Sequence, residues 1–262
     1  MELHEAEAWV ACMNAAAAAP DNPLQAEVED DGTTPLSTLA VLNFAQFNRV
    51  IAMGVQSPAS DGDVDRLLGF YSSRSQSRFS VEVTPVSQPA KLPEMLERHG
   101  LELSPERVAK CWRSLDDIPS ESSDVQVQLL GPEHRQQYNA VSVAAWQVPR
   151  SFGAWFGATL GWEGFRHYGV FVEDELVSTV AMYVSGDLAW TGFGATKPAF
   201  QGRGFQAARV ARELNDAAEL GCTVLHNEAA AGDPTTGSIS LRNMVRSGFQ
   251  HIYTKDVYCP RS

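Results

Sequence analysis

Residues 188–221 read LAWTGFGATKPAFQGRGFQAARVARELNDAAELG. The run divides into a strand, a glycine-rich turn and an amphipathic helix. Trp190 to Phe193 extends as a strand, and Gly194, Pro198, Gly202 and Gly204 punctuate the residues after it. From Phe205 onward Ala207, Val210, Ala211, Leu214, Ala217 and Ala218 recur at helical spacing. Arg209, Arg212, Glu213, Asp216 and Glu219 fall on the opposite, solvent-facing side, and Gly221 ends the helix. Gly202 and Gly204 remove β-carbons where the helix begins, so its first N–H groups can turn toward an anion, with Arg203 adding charge. A P-loop would need a Gly-Lys-Ser/Thr ending and a dinucleotide fingerprint a G-x-G-x-x-G run; the stretch has neither.

Gln201, Gly202, Arg203, Gly204, Phe205 and Gln206, with Pro198 ahead of them, resemble the acyl-CoA loop of the GNAT N-acetyltransferase superfamily, Q/R-x-x-G-x-G/A. Gln206 stands where that family has Gly or Ala, so its side chain is expected to point away from a pyrophosphate or to bond to it. The loop lies after a strand, before a helix and about 45 residues ahead of Ser247-Gly248-Phe249, a placement more specific than the six residues alone.

The resemblance implies a mixed α/β fold (α+β): a central, mostly antiparallel sheet flanked by helices. It also implies acetyl-CoA as co-substrate, without a metal, and an amine acceptor. In such proteins the pantetheine arm pairs like an extra strand beside the strand preceding the loop, which here points to Phe193, Gly194, Ala195 and Thr196. The family's tyrosine acid, four residues before the Gly-Phe pair, is replaced by Met244, and its asparagine seven residues further back by Gly237. Ser240 matches a small hydroxyl position, and Asn243 adds a polar group; both are candidate CoA contacts, with helix capping or surface polarity the alternative.

At 262 residues the chain has the length for about two domains, or one large one. Its apolar share of 44% and charged share of 20% are those of an ordinary globular protein, and no run is apolar for long enough to span a bilayer. Residues 8–19, AWVACMNAAAAA, follow Glu2, Glu5 and Glu7, negative charge where a signal peptide needs positive, so a helix is expected. Cys12, Cys111, Cys222 and Cys259 form no C-x-x-C pair, which favours a reducing cytoplasm over a zinc site or disulfide scaffold. The net charge of −12 argues against a nucleic-acid partner and favours a cationic small molecule. Oligomeric state is left open.

The remaining pattern predicts a helix over 4–19, one or two strands within Leu39–Val55, a helix over 63–73 capped from Ser60-Asp61-Gly62-Asp63, a strand from Arg78 to Thr84 and a short helix from Pro93 to Arg98. Asp116 to Asp124 reads as a linker. Beyond it come a strand over Val125–Leu130, helices over Pro132–Trp146 and Pro149–Leu160, a meander into the glycine loop, a strand over Thr223–Asn227, a helix over 239–247 and a strand over His251–Tyr258. Residues 62–111 repeat the order of parts seen in 204–259. Two such units in tandem are therefore expected: a degenerate one over 1–115, whose Asp61-Gly62-Asp63 would repel phosphate, and a transferase unit over 125–262. Two unrelated α/β units are the alternative.

Acyl transfer to an amine needs a base, a stabilised thioester oxygen and a route for the leaving thiolate. Glu228, at a strand end, and Tyr253, after the Gly-Phe pair, are the catalytic candidates. His226 is held in reserve and expected to face away from Glu228. Phe152, Trp155 and Phe156 offer an aromatic substrate wall, or simply core. The expected function is transfer of acetyl from acetyl-CoA to the amine of a small molecule or peptide in a ternary complex. A non-catalytic acyl-CoA-binding or sensing protein is the alternative.

Overall fold

The computed structural model describes residues 1–118, 124–232 and 237–261. In order the elements are α1 (Glu2–Ala17), β1 (Ala26–Glu29), β2 (Leu36–Leu39), β3 (Arg49–Val50), α2 (Asp61–Ser73), β4 (Ser80–Val83), α3 (Leu92–Arg98), β5 (Leu101–Leu103) and β6 (Val108–Ser114). There follow β7 (Gln128–Leu130), α4 (Arg135–Trp146), α5 (Gly153–Phe156), β8 (Phe165–Val172), β9 (Glu175–Ser185), β10 (Leu188–Thr196), α6 (Phe205–Glu219), β11 (Val224–Ala230), α7 (Ile239–Arg246) and β12 (Gln250–Pro260). The chain divides into two compact units: Met1–Ala109 with Ala230–Ser238 and Tyr253–Ser262, and Lys110–Ala229 with Ile239–Ile252.

In the second unit β7, β8, β9 and β10 form an antiparallel meander, β11 joins β10 in parallel, and β6 lies beyond β11. The hairpin turns between β8, β9 and β10 are short, so each strand is laid against its predecessor and the glycine loop is delivered at the end of β10. Val210, Leu214 and Ala217 of α6 pack with Ala189, Met182, Leu225, Met244 and Phe249. Elsewhere in the unit Tyr138 of α4 meets His167 edge-on with ring centroids 5.3 Å apart. Burying these apolar faces is the main source of the unit's stability.

The first unit pairs β3 with β4 in parallel, β4 with β12 antiparallel, and β5 with β12 antiparallel. Its core gathers Leu36, Val50, Val64, Leu67, Tyr71, Phe79, Val81, Leu96 and Tyr258, with the Tyr71 and Phe79 rings stacked at 4.1 Å. Each unit contains a strand, a helix and a parallel strand: β3, α2, β4 in one and β10, α6, β11 in the other. The units do not follow the expected division into 1–115 and 125–262. The last strand of the chain, β12, is paired with β4, while β6 lies beside β11. Of the expected linker 116–124, residues 119–123 lie outside the described residues.

Two further expectations change. Within Leu39–Val55 the only strand is the two-residue β3, the preceding β2 ending at Leu39, because the buried Asn48 side chain takes over the backbone groups that a ladder would have paired. Its Oδ1 accepts from Leu39 N at 2.8 Å and its Nδ2 donates to Leu42 O at 2.7 Å. The helix expected over Pro149–Leu160 is reduced to a 3₁₀ turn and α5, which ends at Gly157. A β-carbon at Gly157 would come within 2.2 Å of Asn139 Oδ1, so glycine is what lets this segment close on α4.

Candidate active site

The loop before α6 holds Gly202 at φ +75° and Gly204 at φ +78°, a region closed to most side chains. A β-carbon at either would meet nothing within 4 Å, so the backbone conformation, not crowding, calls for glycine. Gly204 is the N-cap of α6, and no side chain caps that helix. Its first backbone bond, from Ala208 N to Gly204 O, is 3.1 Å, so the N–H groups ahead of it face outward with the positive end of the helix dipole. At α2 the corresponding end is closed: Ser60 Oγ accepts from Asp63 N at 3.3 Å and Asp63 Oδ2 accepts from Ser60 N at 2.8 Å. One helix start is thus sealed by its own side chains and the other is open to an anion.

Around the open end, Arg203 is exposed, with its guanidinium 4.9 Å from the Phe200 ring centroid. Gln201 Nε2 donates to Thr196 O at 3.4 Å. Gln206 is turned toward α7, where its Oε1 accepts from Asn243 Nδ2 at 2.8 Å. Ser240 is exposed on the same helix, and Met244, in the place of the family's tyrosine, is buried.

β10 is irregular where the resemblance requires an acyl site. Its register with β9 shifts between Gly192, opposite Ala181, and Ala195, opposite Thr179. Phe193 and Gly194 form the bulge, with Phe193 at φ +56°. The Phe193 ring meets Trp190, Trp155 and Phe156 edge-on at 5.6, 6.0 and 6.2 Å. Trp155 and Phe156 are buried, as is Phe152, so these aromatics are core that reaches the bulge. Past the bulge, Ser178 Oγ donates to Ala195 O at 3.1 Å and lies 2.7 Å from Thr196 Oγ1. Pairing with β11 runs from Leu188 opposite Val224 to Thr191 opposite Asn227. Residues 192–196 therefore have β9 on one side and, among the described residues, no registered strand on the other, an edge of the kind an extended chain can pair with.

The helix beneath carries charge the sequence pattern placed in solvent. Arg209 and Glu213 are 4% and 1% exposed. Arg209 Nη1 donates to Thr179 O, and Thr191 Oγ1 donates to Glu213 Oε1. Burial pushes the Glu213 carboxyl up to about 8, opposed by the Thr191 hydrogen bond and the Arg209 charge. Burial also draws the Arg209 guanidinium down to about 10. Asp216 is buried as well, accepting from Tyr168 OH at 2.9 Å and Arg212 Nε at 2.6 Å, whereas Ala207 is exposed. The i, i+4 spacing of Arg209 and Glu213 beside Val210 and Leu214 was the available signal. The bulge likewise had one, in two glycines flanking Phe193 inside a strand-like run.

Glu228 lies on β11, half-buried. His226 is opposite Trp190 in the parallel register, and strand alternation puts positions 226 and 228 on one face. That corrects the expectation that His226 faces away from Glu228, since the two are separated by one residue, Asn227. Tyr253 belongs to the other compact unit, where its hydroxyl donates to Glu2 Oε1 at 2.6 Å. Burial, then this bond and the Glu2 charge, raise its pKa, so the phenol keeps its proton and spends it on Glu2. Asp233, whose place ahead of Pro234 reads as the start of a turn, lies outside the described residues.

Solved structures share the fold described above. A GCN5-related N-acetyltransferase from Kribbella flavida is 16% identical with a TM-score of 0.64, covering 97% of this chain and 96% of that one. A tandem GNAT protein from the clavulanic acid biosynthesis pathway is 14% identical with a TM-score of 0.59, covering 97% and 94%. An acetyltransferase of the GNAT family from Colwellia psychrerythraea is 11% identical with a TM-score of 0.55, covering 86% and 80%. The fold of this chain is that of the GNAT acetyltransferases. No family model and no curated protein matches the sequence.

Proposed function

We propose that the chain is an N-acyltransferase that moves acetyl from acetyl-CoA to the amine of a small molecule or peptide. The observation that carries this is the adjacency of two features on consecutive elements: the start of α6, which no side chain caps, and the side of β10 at 192–196 turned away from β9, beyond the last registered pair with β11. The first suits a diphosphate, whose oxygens would take the N–H groups around Gly202 and Gly204. The second suits an extended amide-containing arm that pairs with the strand and brings its thioester to the bulge.

In the reaction the amine nitrogen attacks the thioester carbon, the C–N bond forms, the C–S bond breaks, and the proton lost by the amine ends on the departing thiolate, passed on through the base or water. Main-chain N–H groups at the bulge would meet the oxygen as it gains charge. Holding the thioester in place supplies much of the rate by itself. Glu228 takes the amine proton, directly or through water; Tyr253 is less suited because its hydroxyl is committed to Glu2. With 32 acidic against 20 basic side chains, the protein favours a cationic acceptor.

The test is calorimetry with CoA followed by turnover of acetyl-CoA with a panel of amines. Binding is expected, with turnover lowered about 100-fold or more in Glu228→Gln. No heat on adding CoA would end the reading. The buried Met244 in the tyrosine's place favours a second reading, an acyl-CoA-binding or sensing protein. Tight CoA binding without turnover, unaffected by Glu228→Gln, would select it.

A further inference from the structure

We infer that Arg209 is a positioning residue for acyl transfer: from beneath the sheet, its guanidinium fixes the bulge at Phe193 and Gly194 that receives the thioester. This rests on the function proposed above. The bulge sets two residues, Phe193 and Gly194, against Val180 alone, between the regular pairs Gly192 with Ala181 and Ala195 with Thr179. Such an interruption loosens the ladder at the point where acyl transfer needs a rigid frame. Arg209 Nη1 donates to the carbonyl of Thr179, the residue paired with Ala195 immediately after the bulge. The same guanidinium underlies Gly194, since a β-carbon there would stand 3.7 and 3.8 Å from Nη1 and Nη2.

The arrangement is costly for stability alone. Arg209 is 4% exposed, and its Nε is buried with no acceptor among the described residues. A leucine or methionine at this helix position would fill the space without leaving a buried donor unmet. What an aliphatic side chain cannot do is hold a carbonyl on one strand while supporting the backbone of the next. Glu213, one turn along α6, joins the helix to Thr191 just before the bulge. The irregular segment is therefore tied to α6 on both sides, by Arg209 at Thr179 and by Glu213 at Thr191. The phosphate-facing amides at Gly202 and Gly204 make neither contact, so the grip on CoA and the frame for its acyl end are separable.

The experiment compares the full-length wild type with Arg209→Lys and Arg209→Met, using CoA and acetyl-CoA as probes. Calorimetry should give a CoA Kd within about 3-fold of wild type, while kcat falls on the order of 100-fold with little change in KM for acetyl-CoA. Amide exchange at 192–195 should quicken about 10-fold or more, with the β8–β9 turn around Glu173 and Asp174 unchanged. Arg209→Lys keeps the charge without the planar fork and should recover only part of kcat; it also serves if Arg209→Met does not fold. Wild-type kcat and exchange in both variants would overturn the inference, as would loss of CoA affinity with kcat intact. If wild-type protein binds no CoA, the function reading falls and the catalytic purpose of Arg209 with it. Exchange at 192–195 would then still report whether the guanidinium holds the bulge.

Discussion

Asn243 donates from Nδ2 to Gln206 Oε1 at 2.8 Å, joining the first turn of α6 to α7. Gln206 occupies the loop position that the acyl-CoA motif reserves for glycine or alanine, and this bond shows how the larger side chain is accommodated. The amide is drawn sideways to α7, leaving the N–H groups of Gly202 and Gly204 unobstructed. Gln206→Ala should therefore change CoA affinity by less than about 3-fold while lowering stability by about 1 kcal/mol, the net worth of one such bond. A double-mutant cycle with Asn243→Ala, read by denaturant unfolding, should recover that amount as coupling. A 100-fold loss of affinity in Gln206→Ala would mean that the side chain touches the cofactor instead.

Gly202→Ala and Gly204→Ala separate backbone strain from binding. Both positions have φ near +75° and open space around the missing β-carbon, so the folded protein should lose only about 1–2 kcal/mol per substitution. The N–H groups there owe their direction to that left-handed conformation. CoA affinity should drop about 10-fold or more in either variant as the new residue pulls the loop out of it. Parallel melts and titrations would check this, and a variant that loses stability but binds normally would place the phosphates elsewhere.

The glycine loop and α6 were legible because their signals are local: two glycines before a 3.6-residue period need no partner to be read. The strand–helix–strand order of both units was readable for the same reason. What could not be read was set by distant chain. Arg209 and Glu213 belong to the polar stripe by any periodicity, and it is the carbonyl of Thr179 on β9 and the hydroxyl of Thr191 on β10 that give them buried partners. The Leu39–Val55 segment looks like strand until Asn48 claims its backbone groups. The pairing of β12 with β4 lies beyond sequence reasoning because neither strand's composition specifies which edge it joins. Of the candidate site, the glycine loop was visible, whereas Arg209 and Glu213 beneath β10 were not.

Glu213 gives the second unit a pH signature. Its folded pKa, pushed up to about 8, lies above the ordinary carboxylate value of 4.5, so between these values the folded state holds a proton that the unfolded chain releases. Stability from this group accordingly declines as pH rises from about 4.5 through about 8 and levels off above. Glu213→Gln has no proton to lose. Its Tm relative to wild type should climb across that window, at about 2–4 °C for each kcal/mol recovered. Thermal melts of both proteins at pH 5, 7 and 9 test this, and a difference in Tm that does not vary with pH would show that Glu213 ionises normally.

In the first unit Lys255 is fully buried, with Nζ 2.9 Å from Glu2, 3.2 Å from Glu5 and 3.0 Å from Glu82. Arg49 supplies the second cation, with Nη2 3.3 Å from Glu5 and Nε donating to Glu82 at 2.6 Å. Within this unit Glu2, Glu5 and Glu82 gather around these cations, so removing Lys255 leaves negative charge in a site that water does not reach. Lys255→Met should therefore cost about 3–5 kcal/mol, far more than Arg107→Met, whose exposed pair with Asp256 is worth about 1 kcal/mol or less. Added salt should weaken the exposed pair and leave the cost at Lys255 nearly unchanged, because mobile ions do not enter the buried cluster. Urea unfolding of both variants at low and high salt distinguishes them. If Lys255→Met unfolds within 1 kcal/mol of wild type, the carboxylates must be reached by solvent, and the buried network is not what holds α1 to this unit.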